Sequence, residues 1–193
     1  MPGILSPYLR NKRTSIVLPF LKGDILDIGC GPARNLEILK INDIPFTSYT
    51  GIELDENYVD ELKSRFSESD FYSVDLDTEK IPVNQKFDTI VLLAVIEHIF
   101  NLKFLFSQLA SLLKPKGRIV LTTPTAFGND IIHVLGTSIG LFDKAGGQDD
   151  HIVIFNKRRL QILGSEVGLR IEVYKTFQFG CNQLVTFSLN QES

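Results

Sequence analysis

Two patterns of hydrophobic residues alternate along most of the chain: short apolar runs, and apolar residues that recur at helical spacing. Five short apolar runs, at 24–28, 49–54, 71–74, 87–93 and 118–123, are typical of buried strands. Between them, apolar residues recur every three or four positions, which predicts helices over the first twenty-odd residues and at 34–40, 57–66 and 102–113. Asp55 lies where it can cap the helix at 57–66.

This alternation of strands and helices predicts an α/β fold with a doubly wound, seven-stranded sheet that is mostly parallel. The run 87–93 is apolar on both faces, so we expect it in the centre of the sheet. After Pro124 the alternation stops, and 125–150 is expected to be an insertion over the sheet edge. A helix at 157–167 and strands at 170–177 and 184–189 follow, with Gly180-Cys181-Asn182 joining the strands as an antiparallel hairpin.

Composition narrows the class of protein. The 193 residues include 20 Lys and Arg against 23 Asp and Glu, a mildly acidic balance that argues against a nucleic-acid binder. The length predicts a single domain over 1–193. Two distant cysteines match no disulfide or metal-ligand spacing, which is typical of a reducing compartment. Since neither a signal pattern nor an apolar run of about 20 residues is present, we expect a cytoplasmic protein without a membrane span.

A glycine-containing loop follows the first strand, in Asp27-Ile28-Gly29-Cys30-Gly31. Glycines here let the backbone approach a ligand, and the next helix offers free N–H groups. Glu53 ends the second strand, where a carboxylate commonly binds a ribose diol. Loop and carboxylate together predict an adenosine-type cofactor; the alternative is a plain glycine turn with a surface Glu.

The loop also bears on which cofactor binds. A dinucleotide fingerprint needs a third glycine at position 34, where the chain has Arg34, so a nicotinamide-dependent oxidoreductase is disfavoured. The segment instead resembles the first motif of the class I S-adenosylmethionine-dependent methyltransferases. The matching residues are Asp27, Gly29 and Gly31, with Ala33 where the family has its third glycine.

Further segments resemble that family's later motifs in the right order, from residue 23 to residue 189. The resemblance implies a Rossmann-like methyltransferase fold and S-adenosylmethionine as cofactor. It also implies that Glu53 holds the ribose hydroxyls, that Asp75 accepts from the adenine amino group, and that the Leu76 backbone meets the ring. The cofactor-binding residues it implies are Asp27, Gly29, Cys30, Gly31, Glu53, Leu54, Asp75, Leu76, Leu93 and Ala94.

Methyl transfer needs alignment above all, and a base when the acceptor is a hydroxyl. His98 is the candidate catalytic base, because it follows the fourth strand in an expected helical turn that puts it on one face with Ala94. The alternative is a structural His98 beside Glu97. No metal is expected, because two such residues make a poor magnesium site and Ala94 offers no third ligand.

The acceptor is expected to be a small molecule, free or linked to a lipid or sugar, with oxygen slightly favoured as the methylated atom. The N-terminal segment 1–22 is expected to act as a lid, and the insertion 125–150 to form part of the acceptor pocket. Tyr8, Arg10 and Arg13 in the first segment could close over the cofactor or hold an anionic acceptor group, although a solvated basic helix face is the preferred interpretation. His151 near the insertion is a second candidate base, whereas His133 is expected at the edge of the core.

Two kinds of nucleobase methylation do not fit the sequence. Neither Cys30 nor Cys181 is placed to act as a nucleophile on cytosine. The sequence Leu92-Leu93-Ala94-Val95 lacks the signature of amino methylation of nucleobases. A non-catalytic, methyltransferase-like partner protein is the main alternative to an enzyme.

Overall fold

The computed structural model describes residues 6–127 and 153–190. The helices are α1 (Ser6–Val17), α2 (Arg34–Ile41), α3 (Glu56–Arg65), α4 (Leu102–Leu112) and α5 (Lys157–Ser165), with 3-10 turns at Leu18–Phe20 and Ile96–His98. The strands are β1 (Asp24–Ile28), β2 (Ser48–Glu53), β3 (Asp70–Ser73), β4 (Phe87–Leu93), β5 (Leu113–Pro124), β6 (Leu169–Phe177) and β7 (Asn182–Leu189).

The seven strands form one sheet in the order β3-β2-β1-β4-β5-β7-β6. The first five strands pair in parallel, and β7 runs antiparallel between β5 and β6. The predicted mixed sheet with its antiparallel C-terminal hairpin is therefore confirmed, with β4 at its centre. The order reverses between β1 and β4, and ligands of such sheets bind at the carboxyl ends of the strands at this point.

Helices cover both faces of the sheet. On one face Leu36 and Leu39 of α2 and Val59 and Leu62 of α3 pack with Ile25 of β1 in one buried cluster. On the same face, Val17 of α1 packs with Val120 and Leu184. The other face carries α4 and α5, where the rings of Phe106 and Phe187 meet edge to face with centroids 5.8 Å apart. This two-sided burial explains why the central strands are apolar throughout.

The predicted strand at 118–123 begins earlier in the structure, at Leu113. Leu113 pairs with Phe87 and Arg118 with Thr89, so the intervening residues bulge out of the ladder. Lys114 Nζ in this bulge lies 2.6 Å from Asp24 Oδ2 and 2.7 Å from Asp88 Oδ2. Hydrogen bonds from Lys114 hold the pKa of both carboxyls below its usual value. The early start of β5 thus coincides with an ion pair between distant parts of the chain, which the local pattern does not show.

Two local predictions need correction. Ala94 has φ +58°, in the left-handed region, and the helical turn begins only at Ile96, so Ala94 and His98 do not share a helical face. The hairpin turns one to two residues earlier than expected, through positive φ at Gln178, Phe179 and Gly180. The capping role of Asp55 is confirmed, because its carboxylate accepts from the Asn57 N–H at 2.9 Å.

Within the described ranges, none of the helices combines the length and the hydropathy that a membrane crossing needs. His133, His151 and nearly all of the insertion 125–150 lie outside the described residues.

Candidate cofactor site

The loop from β1 to α2 turns sharply at the carboxyl edge of the sheet. Gly29 and Gly31 have φ of +64° and +50°, a region that residues with a Cβ adopt only under strain. Ala33 shares this conformation at φ +55°, which explains why the resembled motif has glycine there. The Cys30 N–H donates to the Ile52 carbonyl of β2 at 3.0 Å and anchors the loop to the neighbouring strand.

A cleft of about 200 Å³ opens beside this loop. Ten residues line it, and five of them were predicted to bind the cofactor. Of the other five residues, three come from the loop and α2 and two from α1. The predicted residues in its walls are Asp27, Gly29, Cys30, Gly31 and Leu93, and the additional ones are Arg13, Thr14, Pro32, Arg34 and Asn35.

Glu53 ends β2 beside the glycine loop. Its Oε2 accepts from the Gly31 N–H at 2.8 Å, and its Oε1 accepts from the N–H of the next residue, Leu54, at 2.9 Å. These two bonds fix the carboxylate next to the loop, at the tip of the strand that neighbours β1. The Leu54 side chain is exposed, so this residue can serve a ligand at this edge chiefly through its backbone.

Asp27 forms the polar floor of the cleft and is 2% exposed. Its Oδ2 accepts from Tyr49 Oη at 2.5 Å and from Asn35 Nδ2 at 2.8 Å. Burial raises the pKa of the Asp27 carboxyl to about 6, against the lowering effect of the Tyr49 and Asn35 hydrogen bonds; the charge of Glu53 raises it further. This carboxyl is therefore held in place by neutral donors.

Cys30 is buried next to this floor, and burial raises the pKa of its thiol far above the ordinary value. A thiol in this state is a poor nucleophile. The contribution of Cys30 to the loop is therefore its backbone.

Asp75 and Leu76 follow β3 at the same edge. The Val74 N–H donates to the Glu53 carbonyl at 2.9 Å, which places Asp75 one residue beyond the ladder with β2. The Asp75 carboxylate already accepts from the Asp77 N–H at 3.0 Å and from Thr78 Oγ1 at 2.8 Å. The side chain of Leu76 packs into the core, so its backbone is the part available at the edge.

Leu93 ends the central strand, and Ala94 and His98 follow it. Ala94 leaves the strand with its N–H donated to the Thr122 carbonyl at 2.9 Å. Glu97 is 1% exposed, and its Oε2 accepts from Thr123 Oγ1 at 3.0 Å, whereas His98 beside it is exposed. Burial raises the pKa of the Glu97 carboxyl. Among the described residues, no three His, Cys, Asp or Glu side chains gather as a metal site.

Helix α1 contributes two residues to the lining of the cleft, Arg13 and Thr14. The Arg34 guanidinium donates to Asn11 Oδ1, so α1 is tied to the start of α2. Sequence reasoning considered Arg13 but missed Thr14, Pro32, Arg34 and Asn35 as lining residues. For Arg34 and Asn35 a signal existed, because the first turn of a helix that follows a glycine loop faces the ligand.

Comparison with known proteins identifies the protein family to which the chain belongs. The chain matches the family described as a methyltransferase domain over residues 6–173. Since this match covers most of the chain, the protein belongs to that family. The family and the fold expected from the sequence motifs are thereby confirmed.

Two curated relatives are named malonyl-[acyl-carrier protein] O-methyltransferase. The one from Acetivibrio thermocellus is 29% identical over 52% of this chain and 35% of its own length, and the one from Ilyobacter polytropus is 31% identical over 62% and 45%. The chain thus matches less than half the length of these relatives. Magnesium protoporphyrin IX methyltransferase from Synechocystis PCC 6803, solved with bound S-adenosylhomocysteine, has the same fold, with a TM-score of 0.66 at 18% identity over 95% of this chain and 83% of that one.

The cleft fits the cofactor of this family, S-adenosylmethionine. A Cβ built on Gly31 meets no atom within 4 Å, so the loop leaves open space beside its backbone. Asp27 lines the cleft and Glu53 is bonded to the loop beside it, while Arg13 and Arg34 add two guanidinium groups to the lining. Carboxylates and cations around one cleft suit a ligand that carries ammonium, carboxylate and ribose hydroxyl groups.

Replacing each loop glycine by alanine should separate folding from binding. A Cβ on Gly29 would lie 2.6 Å from Val95 Cγ2, whereas a Cβ on Gly31 would enter open space. Both substitutions strain a positive φ, but only Gly29→Ala adds a clash. We expect Gly29→Ala to destabilise by about 2–4 kcal/mol and Gly31→Ala by about 1–2 kcal/mol in urea unfolding. Gly31→Ala should instead weaken S-adenosylhomocysteine binding at least about tenfold. Equal losses of stability would contradict this geometry.

Asp27→Asn should change how stability depends on pH. The folded-state pKa of about 6 lies above the ordinary Asp value of 3.8, so the wild-type fold loses stability as pH rises between these values. Two pKa units correspond to about 3 kcal/mol. The stability of Asp27→Asn relative to wild type should therefore rise by up to about 3 kcal/mol from pH 4 to pH 7. A pH-independent difference in urea unfolding would argue against a buried, titrating Asp27.

Proposed function

We propose that this protein is a methyltransferase that moves the methyl group of S-adenosylmethionine to an oxygen of a small, anionic acceptor. The observation that carries this proposal is the cleft at the switch point of the sheet, which the glycine loop and Arg13 line and beside which Glu53 is bonded to the Gly31 N–H. Membership of the methyltransferase domain family supports the reaction class.

The chain contributes binding and alignment. When bound, S-adenosylmethionine would supply an activated methyl group: an O–C bond would form from the acceptor oxygen to the methyl carbon, and the C–S bond would break with its electron pair going to sulfur. Glu53 would bind the ribose hydroxyls, Asp75 would accept from the adenine amino group, and the glycine loop would supply close backbone contact. Holding two reactants in line removes much of the entropic barrier, up to about 7–11 kcal/mol.

An anionic acceptor agrees with two observations. Arg13 gives the cleft wall a permanent positive charge, and the curated relatives are named for an oxygen acceptor on a malonyl group. Segments 1–22 and 125–150 are proposed to enclose this acceptor as lid and pocket wall. A carboxylate oxygen is ionised at neutral pH and needs no base, whereas a hydroxyl would need one. The role of His98 as a base stays a prediction.

The ribose role of Glu53 is tested by Glu53→Gln, with Glu56→Gln on the exposed first turn of α3 as matched control. The substitution keeps one acceptor oxygen for the loop but removes the charge that grips two hydroxyls. Calorimetry should show S-adenosylhomocysteine binding weakened by roughly tenfold to hundredfold in Glu53→Gln and unchanged in Glu56→Gln. Equal affinity in both variants would remove Glu53 from the site, and no binding by the wild-type chain would end the proposed function.

The acceptor class is tested by product analysis with small carboxylates, including a malonyl thioester, and with hydroxyl compounds of similar size. We expect methyl esters as products and a kcat that falls less than about threefold in His98→Gln, because no proton has to be removed. Ether products, with a kcat loss of about 10²–10⁴-fold in His98→Gln, would instead establish His98 as the base and overturn the carboxylate acceptor.

A further inference from the structure

The turn between β6 and β7 carries a fully exposed aromatic side chain. Phe179 is 100% exposed, and its backbone has φ +56°, between Gln178 at +53° and Gly180 at +86°. A left-handed backbone is costly for a bulky residue. Such strain is kept where the surrounding structure fixes it, and it is frequent at sites that bind ligands. A strained turn that presents a phenyl ring to solvent therefore indicates a contact surface.

Hydrogen bonds hold this turn against the end of β5. The Thr125 N–H donates to the Cys181 carbonyl at 3.0 Å, and Thr125 Oγ1 donates to the Gly180 carbonyl at 2.6 Å. Because the residue that follows β5 makes both bonds, the turn is fixed in place. The Phe179 ring is thus held at the edge of the sheet where β5 ends.

A second exposed ring lies beside the turn. Phe127 is 56% exposed, and a Cβ built on Gly180 would lie 3.8 Å from Phe127 Cδ1. Since Phe179 directly precedes Gly180, both rings border the same glycine. Phe127 and Phe179 together are called the hairpin patch below.

The hairpin patch lies at the same edge of the sheet as the cofactor cleft. Asn182, the first residue of β7, pairs with Pro124 at the end of β5. The other neighbour of β5 is β4, whose last residue, Leu93, lines the cleft. Neighbouring strands are about 4.8 Å apart, so the base of the turn lies about 10 Å from the end of β4. A ligand that extends from the cleft across β5 meets the hairpin patch.

The charges at this edge indicate what kind of ligand this is. Helix α1 packs over β5 and β7 through Val17 and contributes Arg13 to the cleft lining, so a cation belongs to the same half of the edge as the patch. The other half, after β2 and β3, is acidic, with Asp55, Glu56, Asp75, Asp77 and Glu79. These carboxylates would repel an anionic lipid surface laid across the edge. A molecule with an anionic head and an apolar tail matches both the cation and the rings.

We propose that Phe179, with Phe127 beside it, binds the apolar tail of the acceptor, whose carboxylate head lies in the cleft. This inference rests on the proposed function and narrows its acceptor to carboxylates that carry an apolar chain. Phe179 is thereby a specificity-determining residue, which selects acceptors by their chain and takes no part in methyl transfer. The tail covers the two rings when the acceptor binds.

The experiment is calorimetry on the full chain saturated with S-adenosylhomocysteine and titrated with butyrate or octanoate. Phe179→Asn removes the ring and keeps a residue that adopts a left-handed backbone readily. Ile162→Gln is the matched control, because Ile162 is an apolar residue on α5 that is 49% exposed. Wild type should bind octanoate roughly tenfold to hundredfold more tightly than butyrate, since the longer chain removes more apolar surface from water. This preference should fall at least about fivefold in Phe179→Asn and stay within about twofold of wild type in Ile162→Gln.

Phe127→Ser, which removes the second ring, should lower the preference in the same direction, and circular dichroism checks that each variant folds. If wild type binds neither acid or binds both equally, or if Phe179→Asn keeps the full preference, the inference is overturned and the proposed function stays in place. Binding of phosphatidylcholine vesicles or formation of a dimer, lost in Phe179→Asn without a change in the preference, would overturn it as well. If wild type does not bind S-adenosylhomocysteine, the proposed function itself fails.

Discussion

The site depends on a backbone constraint between β1 and α2. The chain must turn from a buried strand into a helix within five residues, and it does so through left-handed conformations at Gly29, Gly31 and Ala33. Two bonds to β2 hold this turn, from the Cys30 N–H to the Ile52 carbonyl and from the Gly31 N–H to Glu53. Because the neighbouring strand supplies both acceptors, the loop and the carboxylate beside it form one rigid corner.

The electrostatics of this corner agree with the cofactor of the family. Glu53 already accepts from the Gly31 N–H, a donor that a pyrophosphate would need, and Asp27 adds a second carboxyl. A pyrophosphate binds at free N–H groups of the loop and of the helix start. Arg13 on α1 and Arg34 at the start of α2 bring positive charge to the cleft. The bond from the Gly31 N–H to Glu53 thus gives a reason, besides the missing third glycine at position 34, to disfavour a nicotinamide cofactor.

Much of the fold could be predicted because periodicity, turn residues and short connections are local signals. The loop at 27–31 and its partner Glu53 could be predicted as well, since their spacing follows from adjacent parallel strands. Contacts between distant segments could not. Lys114 at the start of β5 contacts Asp24 and Asp88, and the bond between Arg34 and Asn11 holds α1 beside α2. The bond from Asn35 to Asp27 likewise depends on how α2 packs against β1, so the sequence pattern does not show it.

The central claim is that the glycine corner and Glu53 together bind one nucleoside. The most direct measurement is a crystal structure of the full chain grown with S-adenosylhomocysteine. The account predicts density for the ligand along Gly29–Gly31, with its ribose hydroxyls within hydrogen-bond distance of the Glu53 carboxylate. Ligand density elsewhere, with Glu53 still bonded only to Gly31 and Leu54, would contradict it.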